Sequence, residues 1–171
     1  MKKILSALIL FMCMTGLFAA GNTKIEFDTV DLEQNPVSTD DFENNKLTMI
    51  NIWGTFCPPC IREMPELGAL NKANKDKGVE VVGLVVDLVN QMGVVDSRAL
   101  NNARQIIEKT GADYTHIVPN QKMLRGFLRQ VQVVPTTIFI NSKGEIVRTE
   151  IGARSQEAWQ NIIDSILSKN E

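Results

Sequence analysis

The chemistry most legible in this chain lies in the run Trp53-Gly54-Thr55-Phe56-Cys57-Pro58-Pro59-Cys60, where two cysteines are separated by two prolines. Sulfurs at that spacing can close a disulfide and reopen it, so the first expectation is dithiol/disulfide exchange. The competing reading of a Cys-x-x-Cys pair is half of a structural zinc site. Zinc asks for about four Cys or His ligands, and only Cys13 and His116 remain to complete a set. Redox use is the stronger expectation, and no metal is assigned.

The elements around the pair decide how the sulfurs behave. Leu47 to Trp53 is a short, largely apolar run of strand character, and from Ile61 onward apolar Ile61, Met64, Leu67 and Leu70 recur at helical spacing. Cys57 then sits at a helix N-terminus, where unpaired backbone N–H groups and the positive end of the helix dipole favour a thiolate. The thiolate is the attacking species in exchange. Cys60, one turn into the helix, is placed to resolve the mixed disulfide and is expected to be the more buried. Proline is tolerated in the first helical turn, but Pro58 removes one possible donor to the Cys57 sulfur. That predicts a less stabilised thiolate and a more reducing couple than a donor-rich loop would give.

The N-terminus reads as a secretory leader: Lys2-Lys3, an apolar stretch from Ile4 to Phe18, then Ala19-Ala20-Gly21. Cleavage after Gly21 is favoured over cleavage after Ala20. An uncleaved anchor is the alternative, although the apolar stretch is short against the roughly 20 residues that span a bilayer. Cys13 is expected to leave with the leader 1–21. What remains, 22–171, is enough for one domain with one core, and its two cysteines are too few for a disulfide-stapled scaffold. Eighteen Lys and Arg stand against 20 Asp and Glu, so no basic excess points to nucleic acid.

Along the chain, Ile25 to Val30 and a short run ending at Val37 read as two strands around a turn. The strand 47–53 leads into a helix predicted over 58–77, kinked at Pro65 and stopped by Gly78. Val79 to Val86 is a β-branched run of the kind covered on both faces, and strand, helix, strand at this spacing implies a parallel pair. An apolar-flecked loop over 88–95 precedes a helix over 97–109, a strand candidate at 114–118 and a short helix over 121–130. Thr136 to Ile140, the turn 141–144 and Glu145 to Glu150 form a hairpin. A closing helix over 155–168 turns Trp159, Ile162, Ile163 and Ile166 inward. The only long polar tract is 40–46.

That order, with the Cys-Pro-Pro-Cys run, Glu63-Met64-Pro65 and Val134-Pro135-Thr136-Thr137, resembles the thioredoxin superfamily, and within it the exported TlpA/ResA/CcmG-like thiol-disulfide oxidoreductases. The resemblance implies an α/β thioredoxin-like fold: a central mixed β-sheet flanked by helices, an N-terminal β-hairpin, and a helical insertion after the second core strand. It implies a cis Val134–Pro135 bond facing the disulfide, with the Val134 backbone free to pair with an extended substrate. It implies that Glu63, one turn after Cys60, moves protons during exchange; the alternative is a surface glutamate. Asn51 stands where cytosolic thioredoxins carry a buried acid, so Glu63 is the candidate replacement, unless Asn51 merely bonds neighbouring backbone. Trp53 and Phe56 are expected to flank the disulfide and form an apolar docking surface, although the family usually carries Trp at the place of Phe56. His116 is read as a strand-end or core-edge residue.

The resulting expectation is an exported, monomeric reductase of protein disulfides that needs no bound cofactor beyond its dithiol. Its reductant would be a membrane conduit resembling the CcdA/DsbD type. Its substrates would be apocytochrome c, an exported methionine sulfoxide or peroxide reductase, or protein disulfides at large. A non-catalytic binding module and a disulfide-forming oxidase are the rival readings.

Overall fold

The computed structural model describes residues 23–90 and 92–169; the expected leader 1–21, with Cys13, lies outside the described residues. A five-stranded mixed sheet carries the fold, in the order β5 (His116–Ile117), β4 (Val79–Val85), β3 (Leu47–Trp53), β6 (Thr136–Ile140), β7 (Ile146–Ile151). Strands β3, β4 and β5 are parallel, and β6 and β7 run antiparallel to them. A separate hairpin of β1 (Asp28–Val30) and β2 (Pro36–Ser38) precedes β3. Four α-helices occur among the described residues: α1 (Pro58–Asn74), α2 (Ser97–Thr110) after the second core strand, α3 (Gln121–Arg125) and α4 (Gln156–Leu167). Among the described residues no helix is long and apolar enough to cross a membrane.

All seven residues of β3 are buried because helices or the hairpin cover both faces of the sheet. Alternation along the strand then assigns each side chain to a layer. Ile50 and Ile52 face a core shared with Phe27, Val37 and Phe42 of the N-terminal hairpin region and with Met123 of α3. Met49 faces the opposite core with Leu67 and Leu70 of α1 and Trp159 and Ile163 of α4. Asn51 belongs by parity to this second face, which brings a polar side chain under α1. At the end of the strand Trp53 joins Cys57, Cys60, Met64 and Ala103 in a third cluster.

Several elements differ from the sequence reading. Helix α1 ends at Asn74 and tightens into a 3-10 turn over Lys75–Lys77 before Gly78, whose φ of 75° is left-handed. The helix is continuous through Pro65. The strand candidate at 114–118 contracts to two residues because the chain after β1 shares its outer edge: Leu32 N–H donates to the His116 carbonyl and Val118 N–H to that of Val30. The polar tract 40–46 hides a 3-10 turn, Thr39–Phe42, capped reciprocally by Ser38 and Asp41 and burying Phe42. The helix expected over 121–130 is α3 followed, after Gly126, by a 3-10 turn Phe127–Gln130.

Candidate active site

Cys57 is the residue that caps α1, with extended backbone at φ −104° and ψ 95°. Its N–H closes a turn onto the Gly54 carbonyl at 3.0 Å. Asp87, just past β4, holds that turn: Thr55 donates to it through its N–H at 3.0 Å and its hydroxyl at 2.5 Å. Cys57 and Cys60 are joined in a disulfide with Cα atoms 5.3 Å apart. Cys57 retains 4% exposure and Cys60 none, in the order the sequence predicts. Since the first two helical residues are both prolines, the Cys60 N–H, 3.3 Å from Cys57 Sγ, is the first helical donor available to that sulfur.

One turn further along α1, Glu63 is buried at 3% exposure, which overturns the reading of a surface glutamate. Asn51 Nδ2 donates to one carboxyl oxygen at 3.1 Å, and the Arg154 backbone N–H donates to the other at 3.1 Å. Burial nevertheless dominates and raises the Glu63 pKa above the usual carboxylate range, against the lowering pull of the Arg154 N–H, Asn51, Trp159 and the Arg154 charge. Asn51 is therefore more than a partner of neighbouring backbone: its amide also donates to Thr137 Oγ1 of β6 at 3.2 Å, tying α1 to two strands. The Tyr114 hydroxyl is buried without a hydrogen-bond partner among the described residues, and burial together with the Glu63 charge keeps it a neutral phenol.

Trp53 requires a correction. It is wholly buried and packs beneath the pair, so it cannot belong to a docking surface. Its indole N–H is turned inward and donates to His116 Nδ1 at 3.3 Å, while His116 Nε2 faces the Ala112 carbonyl at 3.1 Å. With both ring nitrogens engaged, His116 is a neutral structural residue whose pKa burial lowers to about 4. Phe56 alone of the two aromatics is exposed, at 65%. Its ring lies over Gly54, where an added Cβ would fall 2.5 Å from Phe56 Cε1. The Val134–Pro135 peptide is cis, and the Val134 carbonyl oxygen stands 3.7 Å from Cys57 Sγ.

The structure thus brings Cys57, Cys60, Phe56, Val134 and Pro135 to one end of the sheet, with Glu63 and Trp53 beneath. Sequence reasoning missed Asp87, Thr137 and Arg154. Asp87 lies 32 positions from Thr55, Thr137 lies 86 from Asn51, and Arg154 lies 91 from Glu63. No local pattern joins residues that far apart, and Arg154 contributes a backbone group that any residue but proline would supply.

With this geometry in place, comparison with known proteins gives one answer. The Redoxin family pattern matches residues 19–167. Thiol-disulfide oxidoreductase ResA of Halalkalibacterium halodurans is 27% identical over 164 residues, covering 91% of this chain and 82% of that protein. Its namesake in Oceanobacillus iheyensis is 31% identical over 151 residues, covering 86% and 71%. Among solved structures, a thiol:disulfide interchange protein of the thioredoxin family from Chlorobium tepidum superposes with a TM-score of 0.72 at 22% identity, covering 87% of this chain and 98% of that one. At that identity the superposition speaks for the thioredoxin-like fold.

Proposed function

The chain belongs to the Redoxin family and is a thiol-disulfide oxidoreductase of the ResA type, and from that premise we propose that it is an exported reductase of protein disulfides in which Glu63 moves the proton of the resolving thiol. The observation that carries this reading is the buried carboxyl one turn from Cys60, held between Asn51 and the Arg154 N–H. In the reduced protein the Cys57 thiolate attacks one sulfur of a substrate disulfide. That bond breaks, the first substrate thiolate leaves and takes up a proton, and Cys57 is left in a mixed disulfide. The Cys60 thiol then gives its proton to the Glu63 carboxylate, and the Cys60 thiolate attacks the Cys57 sulfur. The second substrate thiolate departs with a proton and the Cys57–Cys60 disulfide forms, so two electrons and two protons pass to the substrate. A buried carboxyl whose pKa is raised above the usual carboxylate range is suited to accepting and releasing that proton.

The reducing direction is supported by Pro58 and Pro59, which leave the attacking sulfur one near helical N–H and little stabilisation of its thiolate. The dithiol carries the electrons, so the reading needs no bound cofactor. A monomer that is exported by the leader 1–21 and re-reduced by a membrane conduit of the CcdA/DsbD type completes it. Apocytochrome c and an exported methionine sulfoxide or peroxide reductase are the candidate clients. The test is Glu63→Gln, which keeps shape and removes the proton carrier. Followed from about pH 5 to 9 on a denatured disulfide-bonded protein, reduction should slow by about 10²-fold or more and its pH profile should change form. An unchanged rate and profile in the folded variant refutes the role of Glu63. A reduction potential far above about −270 mV, near that of a strong oxidant, refutes the direction.

A further inference from the structure

We propose that the surface beside the disulfide reads substrate sequence: an apolar socket takes a hydrophobic side chain next to the substrate's reactive cysteine, and an arginine rim takes an acidic side chain beyond it. The inference rests on the reductase reading and adds to it the chemistry of the segment that docks.

The socket is a groove of about 490 Å³ lined by residues including Phe56, Val86, Leu124, Leu128, Val133 and Val134, and among the described residues no charged side chain lines it. It adjoins the reactive sulfur through Val134, which lines the groove and whose carbonyl oxygen is 3.7 Å from Cys57 Sγ. Phe56 at 65% and Val133 at 51% exposure stand proud on it. Two large apolar side chains exposed on one groove mark a contact surface more than chance does. Gly54 makes this possible: any Cβ there would push the Phe56 ring from the place it holds.

The rim adjoins the socket through Leu124, which also lines a neighbouring depression with Arg125 and Arg129. Both arginines are exposed, and among the described residues neither guanidinium has an ion pair or hydrogen bond. The surrounding sequence explains why. From Asn120 to Val134, the segment that carries both arginines, there is no Asp or Glu; the acid Glu26 acts on Lys122 of this segment. Asp87, the acid at the end of β4, is turned toward Thr55. Two unpaired arginines flanking the apolar groove, on a protein of net charge −2, complement an acidic segment, and such rim charges act on encounter rate and salt dependence. The occupant is therefore an extended client segment with an apolar residue adjoining its cysteine and an Asp or Glu a few residues away.

The proposal is tested with short peptides whose single cysteine is in a mixed disulfide with 2-mercaptoethanol. The reduced protein converts each to a peptide thiol and 2-mercaptoethanol while its own dithiol becomes a disulfide. A Leu-Cys peptide flanked by Glu should react about five- to tenfold faster than its Lys counterpart at low salt, as two exposed charge pairs allow. The difference should fade at about 0.5 M salt. Arg125→Glu with Arg129→Glu should reverse the preference and leave reduction of neutral bis(2-hydroxyethyl) disulfide unchanged. Replacing Leu by Gly in the peptide should slow it several-fold in both proteins. Equal rates for the Glu and Lys peptides, or a preference that survives charge reversal, overturn the rim. Equal rates for Leu and Gly overturn the socket. If bis(2-hydroxyethyl) disulfide is not reduced at all, the reductase reading fails and the proposal falls with it.

Discussion

At the scale of the residue, the two sulfurs differ in access and in the donors that surround them. Cys57 keeps the only exposed surface of the pair and receives the Cys60 N–H, while Cys60 is enclosed by Trp53, Met64 and Ala103 among others. A thiolate at a helix N-terminus reacts ahead of a thiol buried among apolar side chains. Alkylation of the reduced protein followed by peptide mass mapping should therefore label Cys57 well before Cys60, and Cys60→Ser should accumulate mixed disulfides with substrates. Preferential labelling of Cys60 would exchange the roles of the two sulfurs. The same scale separates Phe56 from Trp53: both are aromatic and both flank the pair, yet one faces solvent and the other holds His116 in place.

At the scale of the element, β4 passes beneath the His116 ring of β5 and the Trp53 indole of β3 without room for a side chain at Gly83. A Cβ there would collide with His116 Nδ1, fall 2.7 Å from His116 Cε1 and 3.1 Å from Trp53 Nε1. Gly83→Ala should cost about 1–3 kcal/mol, the usual penalty of overpacking a core, and should shift the emission of Trp53 as its indole is displaced; unchanged urea midpoint and emission would mean that the His116 and Trp53 rings give way at no cost. The bounds of β3 and β6 were legible, and those of β7 to within one residue, because apolar runs bounded by turn residues are local signals. The active-site helix was legible for the same reason. The contraction of β5 was not, because its outer edge is shared with Val30 and Leu32, which are distant in sequence. The capped turn at Thr39–Phe42 did have a signal, Ser38 followed three residues later by Asp41, masked by the polar residues around Phe42. The Cys pair and Glu63 could be read from one stretch of chain, whereas the partners that fix the Glu63 carboxyl come from β3 and from the approach to α4.

At the scale of the whole molecule, two buried titratable groups pull stability in opposite directions. The His116 pKa is about 4 in the folded protein against an ordinary 6.5. The unfolded chain therefore binds a proton that the folded one refuses, and stability held above pH 6.5 is lost as pH falls toward 4. Glu63, with its pKa raised, acts the other way: the folded protein takes its proton first, so lowering the pH relieves a buried charge. On His116 alone the loss by pH 5 is about 2 kcal/mol. Urea midpoints of the oxidised protein should fall from pH 7 to pH 5, and His116→Gln should flatten that slope; an equal slope in the variant would assign acid sensitivity to other groups. The separation of partners along the chain also sets an order of events. Cys57 and Cys60 are three residues apart and can meet in a chain that has barely left the ribosome, but the Glu63 carboxyl waits for Arg154 to arrive. An incomplete copy thus carries both sulfurs and Glu63 but not the Arg154 N–H that fixes the carboxyl, and the arrival of the segment before α4 is what turns a reactive peptide into a governed one.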